Sequence, residues 1–293
     1  MSSLIHSHDR YAMSEALVFK SNALIEASYR LSLYEQRIML ACIAQVRRDE
    51  PLTDQQLYTV SAQQIAEMTG TKLGTTYQHL KAASERLFDR RVTLNEAPNG
   101  AGTSKVRLTR WVQEVVYLES MGSVSMRFST PMIPYLSQLT EQFTRYALSD
   151  VAKMTSGHAI RLYEILVQWR SIGRREVEIA WLREAMQLED RYSNIRDLKR
   201  WVIEPAIEQI NDHSPLQVSW TQRKAGRKIT HLIFDYTAKS PVKNGMKLHG
   251  KTRLSESDIA RNARPGESWE QARLRLNVEQ PAASMSMETL KNA

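Results

Sequence analysis

The sequence predicts a helix-rich α+β chain built from two tandem helix-turn-helix units, each with a β wing. Three observations predict it. Residues 193–236 pass from a cation-bearing helical segment into two apolar runs joined by a Lys/Arg/Gly turn, the order recognition helix, strand, wing, strand. Residues 61–94 carry a helix-turn-helix pattern of their own, followed by a strand. The element order of the first half then returns in the second, down to the local text Leu33-Tyr34-Glu35 and Leu162-Tyr163-Glu164. A chain of 293 residues has room for two ordinary domains.

Taken in order, residues 1–13 are polar and read as a flexible leader. They lack a basic region followed by an apolar core, so no secretory signal is expected. Residues 14–138 form the first unit. A helical pattern covers Ser14 to Tyr29. Ser32 and Glu35 then form a capping box, each side chain satisfying a free backbone N–H of the first turn. Behind it Ile38, Met39, Cys42, Ile43 and Val46 fall at helical spacing. Ser61 and Gln64 make a second box, Gly70 supplies the positive φ that ends a short helix, and a further helix from about Thr75 buries Leu80, Ala83 and Leu87. Small Ala66 lets the two helices cross closely. Val92–Leu94, Val106–Leu118 and Val124–Phe128 read as strands, and Thr130-Pro131 opens a short helix.

Residues 139–238 form the second unit, with a helix at Gly157–Arg170, a strand at Val177–Ile179, helices at Ala180–Leu188 and Ser193–Asn211, and a hairpin at Leu216–Tyr236. Pro205 lacks a backbone donor and crowds the carbonyl four residues back, so a kink or break is expected near Trp201. Trp181 and Trp201 are read as core anchors. Residues 239–293 are rich in Lys, Gly, Ser, Pro and Asn and read as a basic, mostly disordered tail, with a transient helix at Glu270–Leu276.

Charge points to the partner. Lys plus Arg outnumber Asp plus Glu by 40 to 32, a net charge of +8. On the helix from Ser193, the residues Ile195, Leu198, Val202 and Ala206 share an inner face, while Ser193, Arg196, Lys199 and Arg200 point outward and Asp197 lies at the flank. Arginines four apart can grip guanine O6 and N7. Asn194 can cap the helix or read adenine, and Asp197 can cap the first turn or accept from cytosine N4. Arg223, Lys224, Arg227 and Lys228 tip the following hairpin, with Gly226 permitting the turn. A basic helix face alone is usually just solvated. A basic face between a turn and a basic hairpin fits duplex DNA. The first unit offers a less basic face of Lys72, Thr75, Gln78, His79, Lys81 and Arg86, suited to phosphate contacts.

Other chemistry is discounted. Gly245 to Thr252 meets the phosphate-loop pattern literally, but no apolar strand precedes it and no good helix follows. His6-Ser7-His8 is not the His-hydrophobic-His pair of a nickase, and one cysteine, Cys42, builds neither a disulfide nor a zinc site. No catalytic site, metal or cofactor is expected. Leu17, Leu24, Leu31 and Ile38 recur every seven residues, but Ser32 starts a fresh helix, so core packing is favoured over a zipper. No apolar run reaches the ~18 residues of a membrane span. A cytoplasmic protein is expected.

The segments LSLYEQRIMLACIAQV (31–46), HAIRLYEILVQW (158–169), RDLKRWVIEPAIEQIN (196–211) and KAGRKITHLIFDY (224–236), with the helix-turn-helix at 61–90, resemble the replication initiators (Rep proteins) of theta-type, iteron-containing bacterial plasmids. The resemblance spans about residues 15–238. It implies two winged-helix domains related by pseudo-twofold similarity, the C-terminal one reading direct repeats (iterons) in the major groove through the positions held here by Asn194, Asp197 and Arg200. Asn194 stands where some relatives have arginine. It further implies phosphate contacts and a dimer interface in the N-terminal domain, a monomer–dimer equilibrium, and host replication-initiation and helicase proteins as partners. A regulator of the same build, repressing at an inverted-repeat operator without origin activity, is the alternative.

Overall fold

The computed structural model describes residues 16–47, 51–100 and 106–239. The leader, the phosphate-loop-like and His-Ser-His motifs, and the tail helix lie outside the described residues.

The chain opens with β1 (Leu17–Ser21) and α1 (Asn22–Glu26), followed by α2 (Leu33–Ile43), β2 (Tyr58–Ser61), α3 (Ala62–Thr69), α4 (Leu73–Asp89), β3 (Arg91–Leu94) and β4 (Arg107–Arg110). From α2 onward this is helix, strand, helix, helix, then a two-stranded wing. β5 (Val112–Leu118) and β6 (Ser123–Phe128) complete a sheet of order β2-β6-β5. After β7 (Phe143–Ala147) and α5 (Ser149–Ala152), the order repeats: α6 (Gly157–Val167), β8 (Arg174–Glu178), α7 (Ile179–Ala185), α8 (Ile195–Leu198) running through a π turn into α9 (Glu204–His213), then β9 (Leu216–Ala225) and β10 (Lys228–Ala238). The second wing forms a sheet of order β8-β10-β9.

Local chemistry sets the helix ends. Both capping boxes form: Ser32 and Glu35 exchange backbone N–H bonds ahead of α2, and Ser61 and Gln64 do so ahead of α3. Gly70 takes φ 72° and ends α3, a conformation that costs a residue with a Cβ about 1 kcal/mol or more. Leu80, Ala83 and Leu87 are buried on α4.

Several expectations give way. The helix expected over Ser14–Tyr29 is a strand and a short helix. Residues 17–21 pair antiparallel with 143–147, and Ser21 Oγ accepts from Leu24 N to start α1. The single strand expected over 106–118 breaks at Trp111, β4 pairing with β3 and β5 with β6. The buried Trp111 indole, edge-on to Tyr29 at 4.8 Å, anchors the bend. At 130–135 the chain forms a 3-10 helix with Ser129 at the cap position. The strands β2 and β7 are too short to stand out as alternating patterns. Leu24 on α1, Leu31 in the connection and Ile38 on α2 are core residues, so three of the four heptad positions mark packing, while Leu17 on β1 is 43% exposed.

One hydrophobic core runs through the described residues, including Val18, Ile38, Leu80, Trp111, Tyr163, Val202 and Phe234. Strand β1 meets β7, so residues on both sides of position 138 share a sheet. The same junction holds a buried ionic cluster. Glu164 Oε1 accepts from Lys20 Nζ and Tyr146 Oη, each at 2.6 Å, and Oε2 accepts from Tyr29 Oη at 3.2 Å and Arg161 Nη1 at 3.3 Å. Arg161 also donates to the Ala27 carbonyl and lies 3.8 Å over the Tyr29 ring.

Candidate nucleic-acid interface

The C-terminal recognition helix begins where Arg183 pins the chain. Its guanidinium donates to the carbonyls of Arg191, Tyr192 and Ser193, at 3.1, 2.5 and 3.2 Å, fixing the turn between α7 and α8. Asn194 then caps α8, its Oδ1 accepting from Arg196 N at 2.8 Å. The capping option read from the sequence is thus the one the free protein adopts.

From this start, Ser193, Asn194, Arg196 and Arg200 are exposed, with Asp197 and Lys199 half-buried. Arg196 Nε lies 3.8 Å from Asp197 Oδ1, close enough to orient both groups but weak at this exposure. Lys199 Nζ donates to Gln222 Oε1 at 3.2 Å and lies 5.8 Å over the Trp220 ring, tying the helix to the wing strand β9. Arg200 lies 5.0 Å over the Trp201 ring. Trp201 is 57% exposed and so is not the core anchor expected of it. Trp181 does pack against the core, under Arg175.

The wing turns at Gly226, with φ 60°. Lys224, Arg227 and Lys228 are exposed around it and make no ion pair among the described residues. Arg223 instead bonds Glu176 of β8 across the sheet, which offsets part of its charge and holds the Glu176 carboxyl below its ordinary range. The wing tip therefore offers three free cations, and Arg223 stiffens its base.

The N-terminal face is divided. Lys72 at the N-cap of α4 and Thr75 and Gln78 on its first turns are exposed, and the exposed His79 stacks on Tyr34 at 4.5 Å. Lys81 pairs with Glu119 at 2.9 Å. Arg86 and Arg90 both bond the buried Glu35, at 3.0 and 2.8 Å. Burial raises the Glu35 carboxyl, but Arg90, the Ser32 backbone and Arg86 outweigh it and leave it below its ordinary value. Helical-wheel reasoning places Arg86 outward but cannot see Glu35 on another helix. It also overlooked Arg91, Arg107 and Arg110, exposed on the β3–β4 wing. Their signal is the run of arginines on both sides of the Pro98-Asn99-Gly100 turn.

Among the described residues no cluster of three or more His, Cys, Asp or Glu could hold a metal ion, and no helix is long and apolar enough to cross a membrane.

Two family descriptions match this architecture: "Initiator Replication protein, WH1" over residues 17–167 and "Initiator Rep protein, WH2" over residues 178–236. The chain belongs to the initiator replication protein family. Its two winged helices are the tandem domains of that family, and it is a replication initiator by this membership. The initiator is 26% identical to a replication initiation protein of Escherichia coli over 229 residues, covering 76% of this chain and 70% of that one. It is also 26% identical over 244 residues to an uncharacterized 27.6 kDa protein of Escherichia coli, covering 77% and 97%. Among solved structures, the Pi initiator protein in complex with iteron DNA superposes with a TM-score of 0.65 at 20% identity, over 78% of this chain and 99% of that one.

Proposed function

We propose that this initiator binds double-stranded DNA sequence-specifically at the direct repeats of a plasmid origin. The C-terminal recognition helix enters the major groove, where Arg196 and Arg200 read guanine and Asp197 accepts from cytosine N4. Lys224, Arg227 and Lys228 hold phosphates from the wing. Lys72 at the cap of α4 and Thr75 and Gln78 on it, with Arg91, Arg107 and Arg110 of the first wing, supply backbone contacts over the adjacent turn. The observation that carries this reading is the exposed strip from Asn194 to Arg200 beside a wing tip with three unpaired cations. The likeness in fold to an initiator bound to iteron DNA supports it.

The work of initiation is binding and deformation of the duplex, which opens the origin and presents it to host replication-initiation and helicase proteins in the cytoplasm. No covalent chemistry is required of the chain. Footprinting on the DNA flanking the coding gene tests the reading: protection should repeat at direct repeats beside an AT-rich tract. Supercoiled origin DNA with Mg²⁺ and ATP should emerge neither nicked nor relaxed.

A dimer that represses at an inverted repeat is a second role of the same chain. Strand β5 is an edge of its sheet, and in the separate β3-β4 wing the edge strand β4 carries Leu108, exposed at 60%, with Val106 just before it exposed at 73%. An open edge with exposed apolar residues suits pairing with a second copy. The dimer would present two C-terminal units, while a monomer places its two unequal units on one direct repeat.

A further inference from the structure

We infer that Trp201 is a base-reading residue whose indole packs on a thymine C5-methyl in the major groove. The inference rests on the DNA-binding reading and assigns to it a specificity determinant of a different chemistry from the arginines.

The exposure of Trp201 is built by the helix itself. The core contacts Leu198, Val202, Ala206 and Ile210 are buried and spaced by four residues. A regular α-helix turns about 100° per residue, so such a row drifts off the core by roughly 40° per step. The π turn over Lys199–Ile203 absorbs one residue, Glu204 N reaching back to the Lys199 carbonyl, and returns α9 to the core. Pro205 sets its place, because it has no N–H for the Trp201 carbonyl and its ring would crowd it. Inserted turns of this kind recur at functional sites. Here the result is a large apolar side chain on the outward strip, next to Arg200.

The neighbours decide what meets it. Asp197, half-buried at the flank, lies one turn before Trp201, and the exposed Glu204 lies about one turn after. Carboxylates are repelled by phosphate, so this part of the strip faces base edges rather than backbone. In the major groove the base edges are donors and acceptors, apart from one apolar group, the thymine methyl. An exposed indole flanked by two carboxylates therefore has the thymine methyl as its apolar partner. Arg200, 5.0 Å from the ring, steadies the indole through its charge while it reaches its own base.

The test uses the full chain and a duplex that it enriches from a randomised pool. Each thymine of that duplex is replaced in turn by deoxyuridine, which removes only the methyl, and affinity is read by fluorescence anisotropy. At one position the wild-type protein should bind about four-fold more weakly, the worth of one buried methyl. Trp201→Ala should bind the parent duplex more weakly and lose that discrimination, whereas Arg200→Ala should keep it. Circular dichroism melting should be unchanged in Trp201→Ala, since the ring covers little of the core. If no thymine-to-uracil change weakens the wild-type protein, or if Trp201→Ala retains the same penalty, the inference is overturned while DNA binding stands. A pool that yields no enriched duplex overturns the DNA-binding reading and this inference with it.

Discussion

Replacing Glu164 with Gln should destabilise the initiator far more than replacing its partner Lys20 with Met. Both groups are buried, 2.6 Å apart, and removing either breaks the same ion pair. The difference lies in what remains. Glu164 is one carboxylate between two cations, Lys20 and Arg161. Glu164→Gln leaves both cations buried without a counter-charge and turns an amide N–H toward donors. Removing one partner of a buried pair costs about 3–5 kcal/mol, and two stranded cations place this case at the upper end. Lys20→Met leaves Arg161 and Glu164 as a neutral pair and spares an ammonium its burial. Burial is the largest influence on Lys20 and drives its pKa down despite Glu164. The loss of one charged hydrogen bond is then mostly offset, for a net cost below about 1.5 kcal/mol. Urea unfolding followed by circular dichroism measures both. Against a total stability of about 5–15 kcal/mol, the Gln variant should be partly unfolded at low urea, with the Met variant near wild type. Equal destabilisation by the two substitutions would refute the charge-balance reasoning.

Acid should reach the same cluster. Burial raises the Glu164 carboxyl, yet Lys20 and Arg161 outweigh it and hold it below 4.5. A depressed carboxylate contributes stability that is fully present above its unfolded value and lost as pH falls through the folded one. The wild-type urea midpoint should therefore drop below pH 4.5, and Glu164→Gln should drop less over the same range. On DNA, Arg200→Ala should cost about 1–3 kcal/mol on the specific duplex and relax one base position. Lys228→Ala should weaken all duplexes alike and lower the salt slope by about one phosphate's worth. If Arg200→Ala instead lowers specific and random binding equally, Arg200 is only a phosphate contact. For the edge-strand dimer, Leu108→Glu should weaken self-association about ten-fold in sedimentation, and an unchanged dimer would place the interface elsewhere.

How much of this could be read from the sequence depended on the range of the interactions. Signals closed within one turn were legible: the Ser32–Glu35 and Ser61–Gln64 boxes, Gly70, Gly226, and the irregularity that Pro205 forces near Trp201. The repeat of Leu33-Tyr34-Glu35 in Leu162-Tyr163-Glu164 was legible as text, and both glutamates prove to be buried and held by cations. What those cations are was not legible. Lys20 sits in an apolar run that passes for a helix, and its partner lies 144 residues away. Arg86 faces outward on a wheel, yet it is spent partly on Glu35 of another helix. The core-anchor reading of Trp201 failed because the π turn that exposes it is a property of the whole helix against the core. The repeated element order already indicated two winged helices in one chain, and the family resemblance added what no local pattern could, the iteron as the DNA that they meet.

Sequence readout by the strip beginning at Asn194 is measured by the ratio of affinities of the full chain for its origin direct repeats and for a scrambled duplex, at one fixed salt concentration. The expected ratio is about 10³ or more, collapsing toward unity in an Asn194→Ala, Asp197→Ala, Arg200→Ala triple variant that still melts like wild type. Equal affinity of the wild-type chain for both duplexes, or a triple variant that keeps the ratio, would contradict it.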